Sequence, residues 1–179
     1  VPGSVGGITM SDTINSLAAD QSNGLIYYTD SNAVSGNRAL FAYDYINNTH
    51  ILVDSDLTTG AATNIVTGTT GVGGGAATFY NGGLYLGVEN VSGSNDQIYR
   101  ITFSNNGRTM AGATAFGAQI TAANDWGDFA IDATNNTLLS ITTLGITRYN
   151  LSTGAIIDSI TNATGGTGAQ GGGDINGNT

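Results

Sequence analysis

Carboxylates in short polar loops are the residues of this chain whose types and spacing suit chemistry. Asp54 and Asp56 stand two positions apart in DSDLTTG (54–60), beside two threonine hydroxyls and a glycine. Calcium takes roughly six to eight hard oxygen ligands, and this loop is rich in oxygen. Asp is also common in plain turns, because its side chain accepts hydrogen bonds from the nearby backbone. A turn is the preferred interpretation, calcium held by Asp54 and Asp56 is the alternative, and no other cofactor is expected.

The tetrapeptide DWGD (125–128) holds the only tryptophan of the chain between two aspartates. Trp126 could stack on a sugar ring while Asp125 and Asp128 accept hydrogen bonds from the sugar hydroxyls. A carboxylate pair is also what glycoside hydrolysis requires. A turn at the start of a strand explains the same residues without a ligand. We favour the structural role, keep Asp125, Trp126 and Asp128 as candidate ligand contacts, and expect no catalysis from them.

Other catalytic residue types are scarce. The chain has no cysteine and no lysine, His50 is its only histidine, and Glu89 is its only glutamate. Thiolate, Schiff-base and P-loop chemistry therefore lack their usual residues. No G-x-S-x-G nucleophile motif occurs. The sequence predicts a protein that is not an enzyme, with His50 solvated in a surface hairpin.

Charge and hydropathy exclude several kinds of partner. Only 9% of the 179 residues are charged, and the formal net charge is −9. Such a surface repels phosphate backbones, so nucleic acid is not an expected partner. The hydrophobic fraction of 40% is that of a folded chain, and no apolar run of about eighteen residues predicts a membrane span. The length suits a single domain.

The elements that must position the candidate residues are short strands. Gly, Asn, Ser and Thr interrupt runs rich in Val, Ile, Tyr, Phe and Thr about every eight to twelve residues, which indicates an all-β fold. Three segments share a strand–turn–strand pattern with Asn in the turn, and two further strands follow each of them. Repeated four-stranded antiparallel meanders predict a β-propeller-like architecture, either partial or completed by a partner. The hairpins are 16–30, 76–90 and 128–142, and the predicted blades of the single domain cover 14–70, 71–122, 123–165 and, in part, 166–179.

Asn-x-Ser/Thr sequons are candidate sites for attached sugar. They occur at Asn47, Asn90, Asn135, Asn150 and Asn162. Several sequons are expected by chance in a chain so rich in Asn and Thr. Glycosylation of these five asparagines is therefore a hypothesis, and it fits an exported protein.

Several phrases of the chain resemble the repeats of secreted bacterial β-propeller-like surface proteins. They include LFAYDYINN (40–48), GDFAIDATNNTLLSITT (127–143) and ITRYNLSTGAIID (146–158). The resemblance implies a repeat-built β-domain that is secreted or held at the cell surface. It carries no catalytic residues, because such repeats are scaffolds that host many functions.

The function we predict is that of a non-enzymatic extracellular structural or adhesive protein that associates with itself or with other surface proteins. The fourth predicted unit stops at its turn, so a strand from a neighbour could complete it. The extended, uncharged segment 1–7 is a candidate donor of that strand. The alternative function is a propeller module whose loops bind a glycan or calcium.

Overall fold

Antiparallel β-strands make up the regular structure. The structure is a computed structural model that describes residues 3–10, 14–30, 39–59, 65, 76–92, 95–121, 126–142 and 145–161, and none of these is helical. The strands are β1 Ser4–Val5, β2 Ile8–Thr9, β3 Ile14–Asp20, β4 Leu25–Asp30, β5 Leu40–Asp44, β6 Thr49–Asp54, β7 Ala77–Tyr80, β8 Gly83–Ser92, β9 Asn95–Ser104, β10 Thr109–Thr121, β11 Trp126–Asp132, β12 Thr137–Thr142, β13 Gly145–Asn150 and β14 Ile156–Thr161.

Three four-stranded sheets follow one another along the chain. Sheet I contains β3 to β6, sheet II contains β7 to β10, and sheet III contains β11 to β14, with each strand paired to the next in sequence. Every pairing is antiparallel. The predicted all-β fold of repeated four-stranded meanders is therefore confirmed. Each sheet lies inside one of the predicted blade ranges, and the partial unit 166–179 lies outside the described residues.

A recurring contact between Asp and Asn closes three of the hairpin turns. Asp44 Oδ1 accepts a hydrogen bond from the backbone N–H of Asn47, and Asp44 Oδ2 accepts one from Asn47 Nδ2 at 2.9 Å. The next residue, Asn48, has a φ of 54°, a left-handed conformation that Asn tolerates better than most residues. The same contact joins Asp20 to Asn23 and Asp132 to Asn135. In each meander, the turns between the first two and the last two strands lie at one end, which we call the turn end.

A small hairpin covers one face of sheet I. β1 pairs with β2, with Val5 opposite Ile8, and the hairpin packs on a core that includes Tyr28 and Phe41. The prediction that segment 1–7 is an extended donor strand is wrong for its described part. Gly6 and Gly7 both adopt positive φ, so the chain turns back and pairs with itself.

Sheets I and II pack face to face. The Tyr27 ring stacks on Phe103 with ring centres 4.5 Å apart, and Leu25 and Leu86 are fully buried in the same core. The Tyr27 hydroxyl donates a hydrogen bond to the Gly107 carbonyl at 2.8 Å, which ties sheet I to the β9–β10 turn of sheet II. Burial also raises the pKa of Tyr27, so this hydroxyl keeps its proton.

Sheets II and III share a second core. Phe129 and Tyr149 of sheet III pack with Phe116 of sheet II. Gly117 and Gly154 touch across this interface, since a Cβ added to Gly117 would lie 2.4 Å from the Gly154 carbonyl oxygen. The first strands of successive sheets are also neighbours, because β7 contacts both β3 and β11. Stacked meanders whose first strands adjoin are the arrangement of propeller blades.

Candidate functional site

The predicted ligand contact Trp126 is part of the core. Its side chain is 2% exposed, and its ring meets Phe129 edge-on with ring centres 5.1 Å apart. Gly87 leaves room for the indole, because a Cβ there would lie 3.0 Å from Trp126 atoms. Asp128 Oδ1 accepts a hydrogen bond from the backbone N–H of Phe129, and Asp125 lies outside the described residues. Stacking on a sugar would require the indole to leave this position, and ligand binding by this segment stays a prediction.

The predicted calcium ligands act as hydrogen-bond acceptors within their own loop. Asp54 Oδ1 accepts from the backbone N–H of Asp56 at 2.8 Å. Asp56 Oδ1 accepts from both the backbone N–H and the hydroxyl of Thr58. Within the part of the chain that the structure describes, no group of three or more His, Cys, Asp or Glu side chains is placed to hold a metal ion. Calcium binding at Asp54 and Asp56 stays a prediction.

Two of the five sequon asparagines lie in described hairpin turns, and Asn150 is the last residue of β13, just before another turn. Asn47 and Asn135 use their side-chain amides to donate to Asp44 and Asp132. The side-chain oxygen of Asn150 accepts hydrogen bonds from two backbone N–H groups of the β13–β14 turn. Asn90 falls within β8, and Asn162 lies outside the described residues. Glycosylation stays a prediction at all five positions.

His50 is not solvated in the predicted manner. Its Nδ1 lies 2.7 Å from the Tyr28 hydroxyl, and its ring is 5.0 Å from the centre of the Tyr43 ring. Partial burial lowers the pKa of His50, which favours the neutral imidazole. The prediction failed because His50 lies in β6, where it meets aromatic residues of β4 and β5, and not in the turn before that strand.

Sheet III has a face on which no described residue packs. Cross-strand pairing places Ile141 beside Ile146 and Ile146 beside Ile160, and Leu139 lies two residues from Ile141 on the same side. The opposite side of the sheet carries Tyr149, which is buried against sheet II. Ile160 is 70% exposed and Ile146 is 39% exposed. We call Leu139, Ile141, Ile146, Arg148, Asp158 and Ile160 the outer face.

An ion pair lies within the outer face. Arg148 Nε donates to Asp158 Oδ1 at 2.7 Å, and Arg148 Nη2 donates to Asp158 Oδ2. This two-point contact raises the pKa of Arg148 and lowers the pKa of Asp158, because the hydrogen bonds and the charge attraction favour both ionised forms. Both side chains are about half exposed, so the pair adds little to stability. Its two charges remain accessible to another molecule.

The last strand of sheet III is an edge. All six residues of β14 are exposed, and its pairing within the described chain is with β13 alone. Ile156 and Ile157 add exposed apolar surface at its start. Such an edge is a ready template for pairing or packing with another β-structure. Apolar side chains, an accessible ion pair and an edge strand suit docking.

Sequence reasoning missed the outer face as a site, although its signal was present. The strands GITRYN and IIDSIT, on the two sides of a turn, carry Ile146 two positions from Arg148 and Ile160 two positions from Asp158. Alternation predicts one buried face, and the sequence of these strands does not show whether a neighbouring sheet covers the other face.

The described residues contain no helix long and apolar enough to cross a membrane.

Comparisons with known proteins identify the fold. No family model and no curated protein matches the sequence. Among solved structures, the chain is similar to a protein of unknown function from Bacteroides thetaiotaomicron, with 14% identity, a TM-score of 0.52, and coverage of 82% of this chain and 35% of that chain. It is also similar to a chain of a nidogen/laminin complex, with 15% identity, a TM-score of 0.54, and coverage of 90% and 51%.

A third similar structure is the dihydro-heme d1 dehydrogenase NirN in complex with DHE, with 15% identity, a TM-score of 0.50, and coverage of 84% of this chain and 28% of that chain. Identities this low show the fold alone, and that fold is β-propeller-like. The chain spans between 28% and 51% of the length of these three structures. A propeller-type fold hosts many functions, so function must be argued from the surfaces described above.

Proposed function

We propose that this protein is a non-enzymatic structural module of the cell exterior that associates with a second copy of itself through the outer face of sheet III. The observation that carries the proposal is the apolar row formed by the half-buried Ile141 and the exposed Ile146 and Ile160. Burying such side chains removes apolar surface from water, which is the main driving force of association.

The architecture of the chain supports a sheet as the occupant of this face. Sheet II is packed between sheets I and III, and sheet I is packed between sheet II and the β1–β2 hairpin. Sheet III has one packed face among the described elements. A second sheet III laid on the outer face would repeat the face-to-face packing that the chain already uses twice.

The charges of the outer face favour a second copy over an unrelated partner. Arg148 and Asp158 carry opposite charges on one surface. In a two-fold arrangement, Arg148 of each copy can face Asp158 of the other, so the surface is self-complementary. A six-residue strand spans about 20 Å and four strands about 19 Å, so the face is small and association should depend on concentration.

The extracellular and non-catalytic parts of the proposal rest on composition. With 9% charged residues and no lysine or cysteine, solubility depends on Ser, Thr, Asn and backbone groups. The repeats resemble those of secreted surface proteins, and the outer face offers contacts without a reactive group. Docking of neighbouring copies at the cell surface is the role that these features fit best.

Light scattering coupled to size-exclusion chromatography tests the association. The 179-residue chain is expected to move from monomer to dimer mass as its concentration rises from micromolar to millimolar. Ile160→Asp should stay monomeric, because it introduces a charge into the apolar row. Ile46→Asp is the matched control, since Ile46 is also an isoleucine with 70% exposure but lies in a turn of sheet I.

A charge-swap experiment tests the second copy as the occupant. Arg148→Asp makes the outer face acidic and Asp158→Arg makes it basic, so each variant alone should be monomeric. An equimolar mixture should form a heterodimer, because the two faces then attract. A wild-type chain that is monomeric throughout the concentration series, or dimers that survive Ile160→Asp, would refute the proposal.

A further inference from the structure

We propose that a cleft between the turn ends of sheets II and III binds an acidic saccharide through Arg100. The cleft has a volume of about 520 Å³ and is lined by strands of sheet II and by turns of sheet III. Ligand pockets commonly enclose roughly 300–1,000 Å³. The inference goes beyond the self-association proposed above, since the cleft lies on the side of sheet III opposite the outer face.

Arg100 brings into the cleft a positive charge that no described carboxylate pairs with. Its Nη2 donates to the Asn81 carbonyl at 3.2 Å, and its guanidinium carbon lies 5.9 Å from the centre of the Tyr85 ring. A guanidinium has five N–H donors, so most remain for a two-point contact with a carboxylate. In a chain with a net charge of −9, this cleft is a local site for an anion.

At the neighbouring interface an arginine has a carboxylate partner. Between sheets I and II, Arg108 is paired with Asp44, and the Tyr27 hydroxyl is bonded to the Gly107 carbonyl. Protein groups therefore satisfy the arginine at that position. Between sheets II and III, Arg100 faces the cleft with the Asn81 carbonyl and the Tyr85 ring as its partners among the described residues.

The remaining lining fits a sugar better than a simple anion. Tyr80 presents a half-buried ring, on which the apolar face of a sugar can pack. Asn136 and Ser152 supply amide and hydroxyl groups for sugar hydroxyls, with Asn136 Nδ2 and Ser152 Oγ 3.0 Å apart. The backbone N–H of Leu151 donates to the Asn136 carbonyl at 2.9 Å, which fixes the two turns relative to each other before a ligand arrives.

The Arg100 guanidinium lies against Gly83, which leaves room for it because glycine has no side chain. A Cβ at this position would lie 2.7 Å from Arg100 Nε and 2.9 Å from its guanidinium carbon. Gly83→Ala therefore displaces the guanidinium while leaving its charge in the protein. This variant separates a positioned arginine from mere positive charge.

Calorimetric titration of the intact chain tests the proposal. The probes are trigalacturonate, 3′-sialyllactose and a hyaluronan tetrasaccharide, with maltotriose as the neutral sugar and trialanine as a carboxylate without a sugar. At least one acidic saccharide should bind at millimolar concentration or tighter, and binding should weaken with added salt. Maltotriose and trialanine should bind at least about tenfold more weakly, because maltotriose has no carboxylate and trialanine has no sugar ring.

Variants assign the binding to the cleft. Arg100→Gln should weaken binding of the acidic probe about tenfold or more, and Gly83→Ala should weaken it without a change in net charge. Arg108→Gln is the control for loss of an arginine elsewhere and should bind as the wild type does. The proposal is overturned if none of the three acidic saccharides binds at millimolar concentration. It is also overturned if trialanine or maltotriose binds as well as they do, or if Arg100→Gln, with a native melting curve, binds unchanged.

Discussion

Arg108 and Asp44 join the turn ends of sheets I and II, with 2.5 Å between Arg108 Nη2 and Asp44 Oδ2. The carboxylate of Asp44 is almost completely buried, and it also accepts the two hydrogen bonds from Asn47 that close its own hairpin. One carboxylate thus holds a turn within one sheet and attaches that sheet to the next. Both contacts depend on its negative charge.

The stability of the protein should fall steeply in acid because of Asp44. Hydrogen bonds from Asn47, and then Arg108, lower the pKa of Asp44 from its usual 3.8 to about 2. A carboxyl group whose pKa is lower in the folded state stabilises the fold in full above the unfolded pKa, and this stabilisation is lost as the pH falls through the folded pKa. We expect the melting temperature to drop between about pH 4 and pH 2, and Asp44→Asn to flatten that part of the profile.

Arg108→Gln separates the two causes of this acid sensitivity. The hydrogen bonds from Asn47 contribute more to the lowered pKa of Asp44 than Arg108 does. The Arg108→Gln variant should therefore melt lower at neutral pH yet keep most of the decline between about pH 4 and pH 2. An Asp44→Asn profile parallel to that of the wild type in this range would contradict the assignment.

Gly107 should tolerate alanine much less well than Gly82 does. Both lie in hairpin turns of sheet II with positive φ, 84° at Gly107 and 71° at Gly82. A Cβ on Gly82 has no atom within 4 Å, whereas a Cβ on Gly107 would lie 2.5 Å from the Tyr27 hydroxyl oxygen. Gly82→Ala should cost about 1 kcal/mol of unfolding free energy through backbone strain, and Gly107→Ala about 3 kcal/mol. Urea denaturation measures both, and equal losses would argue against the close contact.

The fluorescence of Trp126 should be that of an indole buried away from water. As the only tryptophan, it gives a single fluorescence signal. We expect emission blue-shifted from that of free tryptophan and protected from iodide quenching, because the side chain is 2% exposed. Trp126→Ala should reduce the unfolding free energy by about 3 to 5 kcal/mol through loss of core packing. Red-shifted, readily quenched emission from the folded chain would instead indicate an accessible indole.

Much of the fold could be predicted because its signals are local. The turns after Asp20, Asp44 and Asp132 carry Asn at the position where the side chain returns to the carboxylate. Alternation of apolar residues between such turns then determines the strands. The β1–β2 hairpin was missed because its strands have two residues each, too few for alternation to appear.

The candidate sites were harder to predict because they depend on which sheets become neighbours. The acidic flanks of Trp126 left a ligand contact open beside the favoured structural role, and its position opposite Gly87 and Phe129 places it in the core. Arg100 drew no attention in the sequence, where it is one of four arginines. It stands out because no carboxylate of the described residues pairs with it, whereas Arg108 and Arg148 are each paired with an aspartate.

The contact of β7 with both β3 and β11 makes sheet II the middle one of the three described sheets, which follow one another as a linear array. In such an array, cooperativity passes from each unit to its nearest neighbour, as in solenoid proteins. A disturbance of the third meander can then let that end fray while the first meander keeps its hairpin cover and its own core. The same coupling means that a molecule bound to sheet III would stabilise all three sheets, because it would suppress local unfolding at that end.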